Sequence, residues 1–141
     1  MVRFLTMQFK NNPTSSTLKE INLCLAFIRK HAPDLIEVEG DSKWTKGNVI
    51  FREDFDKPGM YTFMLGALAN GKVTLHLMPL YGIKSLKDKY TTEFKSVSSG
   101  KSCIAFKYFN DLPLSALQDI IENGSKQFKI VMQAYYAKRN K

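Results

Sequence analysis

The stretch that most constrains the fold is Met60 to Leu80, two apolar runs broken by Asn70-Gly71. Asn-Gly between apolar runs is the strongest short-range signal for a β-hairpin, because both residues tolerate positive φ. A two-residue loop sets a register in which Leu68 opposes Val73, Gly66 opposes Leu75 and Met64 opposes Leu77. Those six residues then share one face, which becomes the core side. The other face carries Phe63, Leu65, Ala67, Thr74, His76 and Met78, mixed in size and polarity and therefore open to a functional role.

The remaining elements arrange themselves around this hairpin. Thr17 and Glu20 form a capping-box pattern, followed by Leu18, Ile21, Cys24, Leu25 and Ile28 at helical spacing. Pro33 stops that helix, and His31 in its last turn suits the negative end of the dipole. Leu35 to Glu39 alternates, with Ile36 and Val38 on one face and Glu37 and Glu39 on the other, and Asn48 to Phe51 reads as another short strand. A short helix near Ser85 to Phe94 carries Leu86, Tyr90 and Phe94. A strand from Ser102 to Phe109 comes next, with Ile104, Phe106 and Tyr108 on one side. Pro113 opens a closing helix with a stripe of Leu114, Leu117, Ile120, Ile121, Phe128 and Val131, which Asn123-Gly124 divides. Strands in mid-chain with helices at both ends predict an α+β fold, an antiparallel sheet packed against N- and C-terminal helices. The organisation expected is an arm at 1–16, one domain at 17–137 and a basic tail at 138–141.

At 141 residues and 16.1 kDa the chain is long enough for one domain with its own core. Cys24 and Cys103 are too few for a disulfide framework and lack metal-ligand spacing, so both read as small buried hydrophobes of a reducing compartment. The first ten residues never develop a continuous apolar core, so no signal peptide is expected, and no apolar run nears the ~18 residues of a membrane span. A cytoplasmic protein without membrane contact is the expectation. The net charge of +8 is uneven: residues 84–141 hold 11 basic and 5 acidic side chains, whereas 48–83 hold three of each. The lysines are spread singly, as on a solvated surface, which argues against nucleic acid as the partner.

The run Gly100-Lys101-Ser102 suggests a phosphate loop, but the first glycine is missing (position 95 is Lys95) and the residues after Ser102 alternate like a strand. Gly100-Lys101-Ser102-Cys103-Ile104-Ala105-Phe106-Lys107, with Asp111-Leu112-Pro113-Leu114 beyond it, resembles instead the signature of the YdhG-like family. Two further landmarks are similar to that family: Ala32-Pro33-Asp34 after the first helix, and Lys72 to Gly82 with its closing Leu80-Tyr81-Gly82. The resemblance covers about Leu18 to Ile121. It implies a bacterial domain, a frataxin-like α/β sandwich and, for some relatives, an iron-chaperone role. The chain departs from those relatives in having Glu39-Gly40-Asp41-Ser42-Lys43-Trp44 after the first strand and a basic overall charge.

Three groups of residues carry candidate chemistry. Glu37, Glu39 and Asp41 lie two apart, and with Glu53 and Asp54 they are the candidate oxygen ligands for iron, although carboxylates are ordinarily the wet face of an edge strand. His76 and Cys103 form a thiol–imidazole pair if their strands are neighbours. Trp44, Tyr61, Phe63, Met78 and Tyr81, together with His76 and Cys103, are candidate pocket residues. No catalytic motif is present and no cofactor is implied, iron excepted. The expectation is a binding module for a small molecule or protein, monomeric or dimeric. The alternatives are a frataxin-type iron carrier and an enzyme using the second sheet face around His76 and Cys103.

Overall fold

Five strands pair in chain order as an antiparallel meander: β1 (Ile36–Glu39), β2 (Val49–Arg52), β3 (Phe63–Ala67), β4 (Val73–Leu77) and β5 (Cys103–Phe106). Helix α1 (Ser15–His31) precedes the sheet. Helices α2 (Met78–Gly82) and α3 (Lys84–Tyr90) connect β4 to β5, and α4 (Leu114–Asp119) and α5 (Ser125–Arg139) close the chain. This is the expected α+β class. The computed structural model describes residues 8–100 and 102–139. The expectations made for residues 1–7, for Lys101 and for the end of the basic tail at 140–141 lie outside the described residues. Among the described residues, no helix is long and apolar enough to cross a membrane.

Successive strand residues face opposite sides, so the pairing register decides which side chains share a layer. On the core face, Phe51, Phe63 and Leu77 form one row across the sheet, and Val49, Leu65, Leu75 and Ile104 the next. Ala67, Val73 and Phe106 form a third. Helix α1 contributes Ile21, Cys24, Leu25 and Ile28 to the same cluster, and α4 with the turn after it adds Leu117, Ile120 and Ile121. Fully burying each Leu or Ile stabilises the fold by roughly 1.5–3 kcal/mol. Arg29 fastens α1 to β1 through a bidentate pair with Glu37, 2.6 Å from Nε to Oε1 and 2.7 Å from Nη2 to Oε2.

The hairpin forms where expected but one residue out of the expected register. Ala67 pairs with Val73, Leu65 with Leu75 and Phe63 with Leu77. Leu68 N donates to Lys72 O at 2.8 Å and Gly71 N to Leu68 O at 3.1 Å, so the loop holds three residues, Ala69, Asn70 and Gly71. Gly71 supplies the positive φ (85°), while Asn70 Oδ1 accepts from Lys72 N at 3.0 Å. This is the common three-residue loop, a tight turn closed by a left-handed glycine. The extra residue exchanges the two faces of β3, moving Phe63, Leu65 and Ala67 into the core and Met64 and Gly66 to the opposite face. Burial explains the choice, because Phe63 and Leu65 offer the core more apolar volume than Met64 and Gly66. On the opposite face Gly66 is needed for space: a Cβ there would fall 1.8 Å from Asn48 Oδ1.

Both ends of the helical framework also depart from expectation. Thr14, not Thr17, caps α1, its Oγ1 accepting from Thr17 N at 3.3 Å. Thr17 and Glu20 lie inside the helix and bind other segments instead. Thr17 Oγ1 donates to Gly71 O at 2.8 Å, and Glu20 Oε1 accepts from Phe109 N at 2.8 Å. Strand β5 ends at Phe106, and the turn at Phe109–Asp111 buries Phe109 while leaving Tyr108 exposed. Asn123-Gly124 does not break the last helix. Ile120–Gly124 forms a single π-turn flanked by residues in helical conformation. Its wider spacing inserts a residue into the helical repeat and rotates α5 relative to α4. The buried stripe therefore runs through Phe128, Met132 and Tyr136, and Val131 is 42% exposed. Those three residues form a second cluster with Phe55, Met60, Met78 and Ile83.

Candidate functional site

Val38, Ile50, Met64, His76 and Cys103 form one row across the second face of the sheet, one residue from each strand. The row is apolar until its β5 end. There His76 and Cys103 are direct cross-strand partners, and Cys103 Sγ lies 2.8 Å from His76 Nδ1. The ring of Tyr61, in the segment leading into β3, stands edge-on to the imidazole at 6.5 Å between centroids and 86°. Desolvation lowers the pKa of His76, so the imidazole is neutral at neutral pH. In the tautomer with its proton on Nε2, the neutral ring offers Nδ1 as acceptor to the Cys103 thiol. Burial raises the pKa of the Tyr61 hydroxyl, which stays protonated at neutral pH. The pair thus combines a half-buried thiol with a base in direct reach of its proton.

Cys103 also lines a cleft of about 160 Å³ beside β5. The far wall comes from α2 and α3 through Leu80, Lys87 and Tyr90, and Phe94, Ser98 and Gly100 complete it. Ser99 N donates to Cys103 O at 2.9 Å, and Ser98 bridges Ile104. The Gly100-Lys101-Ser102 run is followed by strand β5, as the alternation after Ser102 predicted. It leads into no helix N-terminus that could face a phosphate.

The other candidate pocket residues disperse. Phe63 is fully buried on the core face, a correction that comes from the hairpin register. Met78 packs into the α5 cluster. Trp44 is 78% exposed in the β1–β2 connection with Lys43 over its ring, and Tyr81 is 60% exposed on α2. Of the seven, Tyr61, His76 and Cys103 converge. Cys103 also departs from its reading as a buried hydrophobe; Cys24 fits that reading and is fully buried.

The candidate metal ligands do not gather. Both oxygens of Glu37 are taken by Arg29. Glu39 and Asp41 line a cleft of about 310 Å³ with Arg52 and Asp56. Glu53 lines a different one with Asp34, Glu122 and Lys129. Its carboxyl is pushed up mainly by burial, against the pull of Lys129. Among the described residues, no group of three or more His, Cys, Asp or Glu side chains is placed to hold a metal ion.

A wider trough of about 690 Å³ lies between the start of α1, the hairpin loop and the end of β5, with Lys19, Lys72 and Lys107 on its rim. Its buried polar groups, Thr17 and Glu20, already serve Gly71 and Phe109. The residues missed from sequence are the far wall of the β5 cleft. Tyr90 and Phe94 read only as part of a core stripe, although the hydroxyl of Tyr90 marked it as a side chain with a polar end. That hydroxyl donates to Asp119, pinning α3 to α4 at the back of the cleft. No protein-family model, curated protein or solved structure matches this chain.

Proposed function

We propose that this protein is a binding module for a small ligand, held in the cleft beside β5 with Cys103 in its wall. The observation that carries this reading is the convergence of Cys103, His76 and Tyr61 at the β5 end of the row that is otherwise Val38, Ile50 and Met64. The cleft's size supports a small ligand, since about 160 Å³ is the liquid volume of roughly five waters. Its lining supports a ligand with apolar body and polar end: Leu80, Phe94 and Ile104 supply contact area, and Ser98, Ser102 and Cys103 supply polar groups. The YdhG-like resemblance belongs to the same proposal as a lineage. Its iron-carrier version finds no support in the arrangement of Glu37, Glu39, Asp41, Glu53 and Asp54.

Titration of ¹⁵N-labelled protein with propionamide and propionate tests the reading. Saturable amide shifts are expected at Gly100, Ser102, Cys103 and Ile104, and Leu80→Trp, which fills the cleft, should abolish them. Shifts confined to the trough around Lys19, Lys72 and Lys107, or no saturable shift at all, overturn the proposal.

A further inference from the structure

The contact between Cys103 and His76 has a use beyond ligand recognition. A thiol that only lined a cleft would need no base, whereas here Nδ1 sits 2.8 Å from the sulfur on the neighbouring strand. Gly100, which also lines the cleft, lies beside the sulfur: a Cβ built there would come to 3.9 Å from Sγ, an ordinary contact distance. One base and one proton suit an addition, which needs no leaving group and therefore no second acid. Resting on the binding reading above, we propose that Cys103 is the nucleophile of this cleft and His76 its base, and that the ligand class is a small conjugated carbonyl.

In the addition, the Cys103 Sγ lone pair forms a bond to the β-carbon of the C=C–C=O unit. The C=C pair shifts toward the carbonyl, and the thiol proton passes to His76 Nδ1. The imidazolium then returns that proton to the α-carbon, restoring the carbonyl and the neutral base. The thiol is added across the double bond with no atom or electron left over and no oxidant required. His76 is suited to this role because its burial disfavours a standing thiolate–imidazolium pair. The proton moves when the electrophile arrives, which is general-base rather than pre-ionised activation. Leu80, Phe94 and Ile104 give the carbon skeleton an apolar surface to lie against.

Acrylamide is the probe, with addition tracked by intact mass and peptide mapping between pH 5.5 and 9. Among the described residues, the titratable groups around Cys103 are His76 from β4, Tyr61 before β3, and Lys87 and Tyr90 of α3 across the cleft. In the native protein Cys103 is expected to add acrylamide at least tenfold faster at pH 7 than in the urea-unfolded chain. The rate should level off from an inflection below about 6.5, rather than near the ordinary thiol value of about 8.5. His76→Phe should bring the rate within twofold of the unfolded chain. Cys24, fully buried, reports folding in the same spectrum because it is labelled only if the variant opens. If His76→Phe opens, His76→Asn is the second variant and the native pH profile stands by itself. A native rate equal to the unfolded one, or a single inflection near 8.5, overturns the proposal. So does a folded His76 variant that reacts as fast as the native protein. Propionamide, the saturated analogue, separates the two readings. Cleft shifts without acrylamide addition remove the nucleophile and keep the binding module, whereas fast addition without shifts keeps the nucleophile and removes the module.

Discussion

His76 sits where the apolar row Val38, Ile50 and Met64 meets Cys103, half-buried on the second sheet face, and that position sets a pH dependence. Burial depresses its folded-state pKa below the ordinary value of about 6.5, so the unfolded chain binds the proton more readily. Its contribution to stability is therefore intact above about pH 6.5 and is lost as pH falls through the lower folded value. Urea midpoints measured from pH 7.5 to 5 should decline in that window, and His76→Asn should flatten the decline. An unchanged slope in the variant assigns the loss elsewhere. Glu53 behaves in the opposite sense. Its folded pKa is raised, chiefly by burial, so the charged form is the disfavoured one at neutral pH. Glu53→Gln should raise Tm at pH 7, and the gain should vanish below about pH 4.3, where the native carboxyl is already neutral. A gain that persists at pH 3.5 would assign the effect to packing.

At the scale of elements, the β3–β4 hairpin shows what a turn signal does and does not specify. Asn70-Gly71 located the turn, but an Asn-Gly pair fits a two-residue loop or the end of a three-residue one equally well. The difference of one residue decides which side chains enter the core. Gly71 carries the left-handed conformation of the observed loop, at φ 85° with nothing close enough to crowd a side chain. Gly71→Ala should therefore destabilise through backbone strain alone, by about 1–2 kcal/mol, seen as a lower urea midpoint with an unchanged slope. A neutral substitution would mean the loop relaxes into another form. The π-turn at Ile120–Gly124 makes the same point for the last helix. Sequence periodicity assumes a constant 3.6 residues per turn, so it placed Val131 inside where Met132 and Tyr136 are buried. The capping box failed for a related reason, since Thr17 and Glu20 are more useful to Gly71 and Phe109 than to their own helix end.

For the whole molecule, stability rests mainly on the larger core between the sheet and the helices α1 and α4, with Leu75 in the row Val49, Leu65, Leu75 and Ile104. Leu75→Ala should cost about 2–5 kcal/mol from lost burial and the cavity left behind, measured by urea unfolding. A loss below about 1 kcal/mol would show that Leu75 is not a core residue. The α+β class, the order of the elements and the apolar stripe of α1 were legible in the chain, because each depends on local periodicity and on punctuation by Pro33, Gly71 and Pro113. The candidate site was legible only in part. Alternation along β4 and β5 put His76 and Cys103 on the same side of a sheet, but only the cross-strand register brings the sulfur and nitrogen to 2.8 Å. The β3–β4 register moved Phe63 from the candidate pocket into the core, and the pairing of Arg29 with Glu37 took a candidate ligand out of use. Local preferences act over a few residues and determine which elements form. Which strands pair and which faces are buried is decided by residues far apart in the chain, and it is the pairing of β4 with β5 that brings the thiol beside the imidazole.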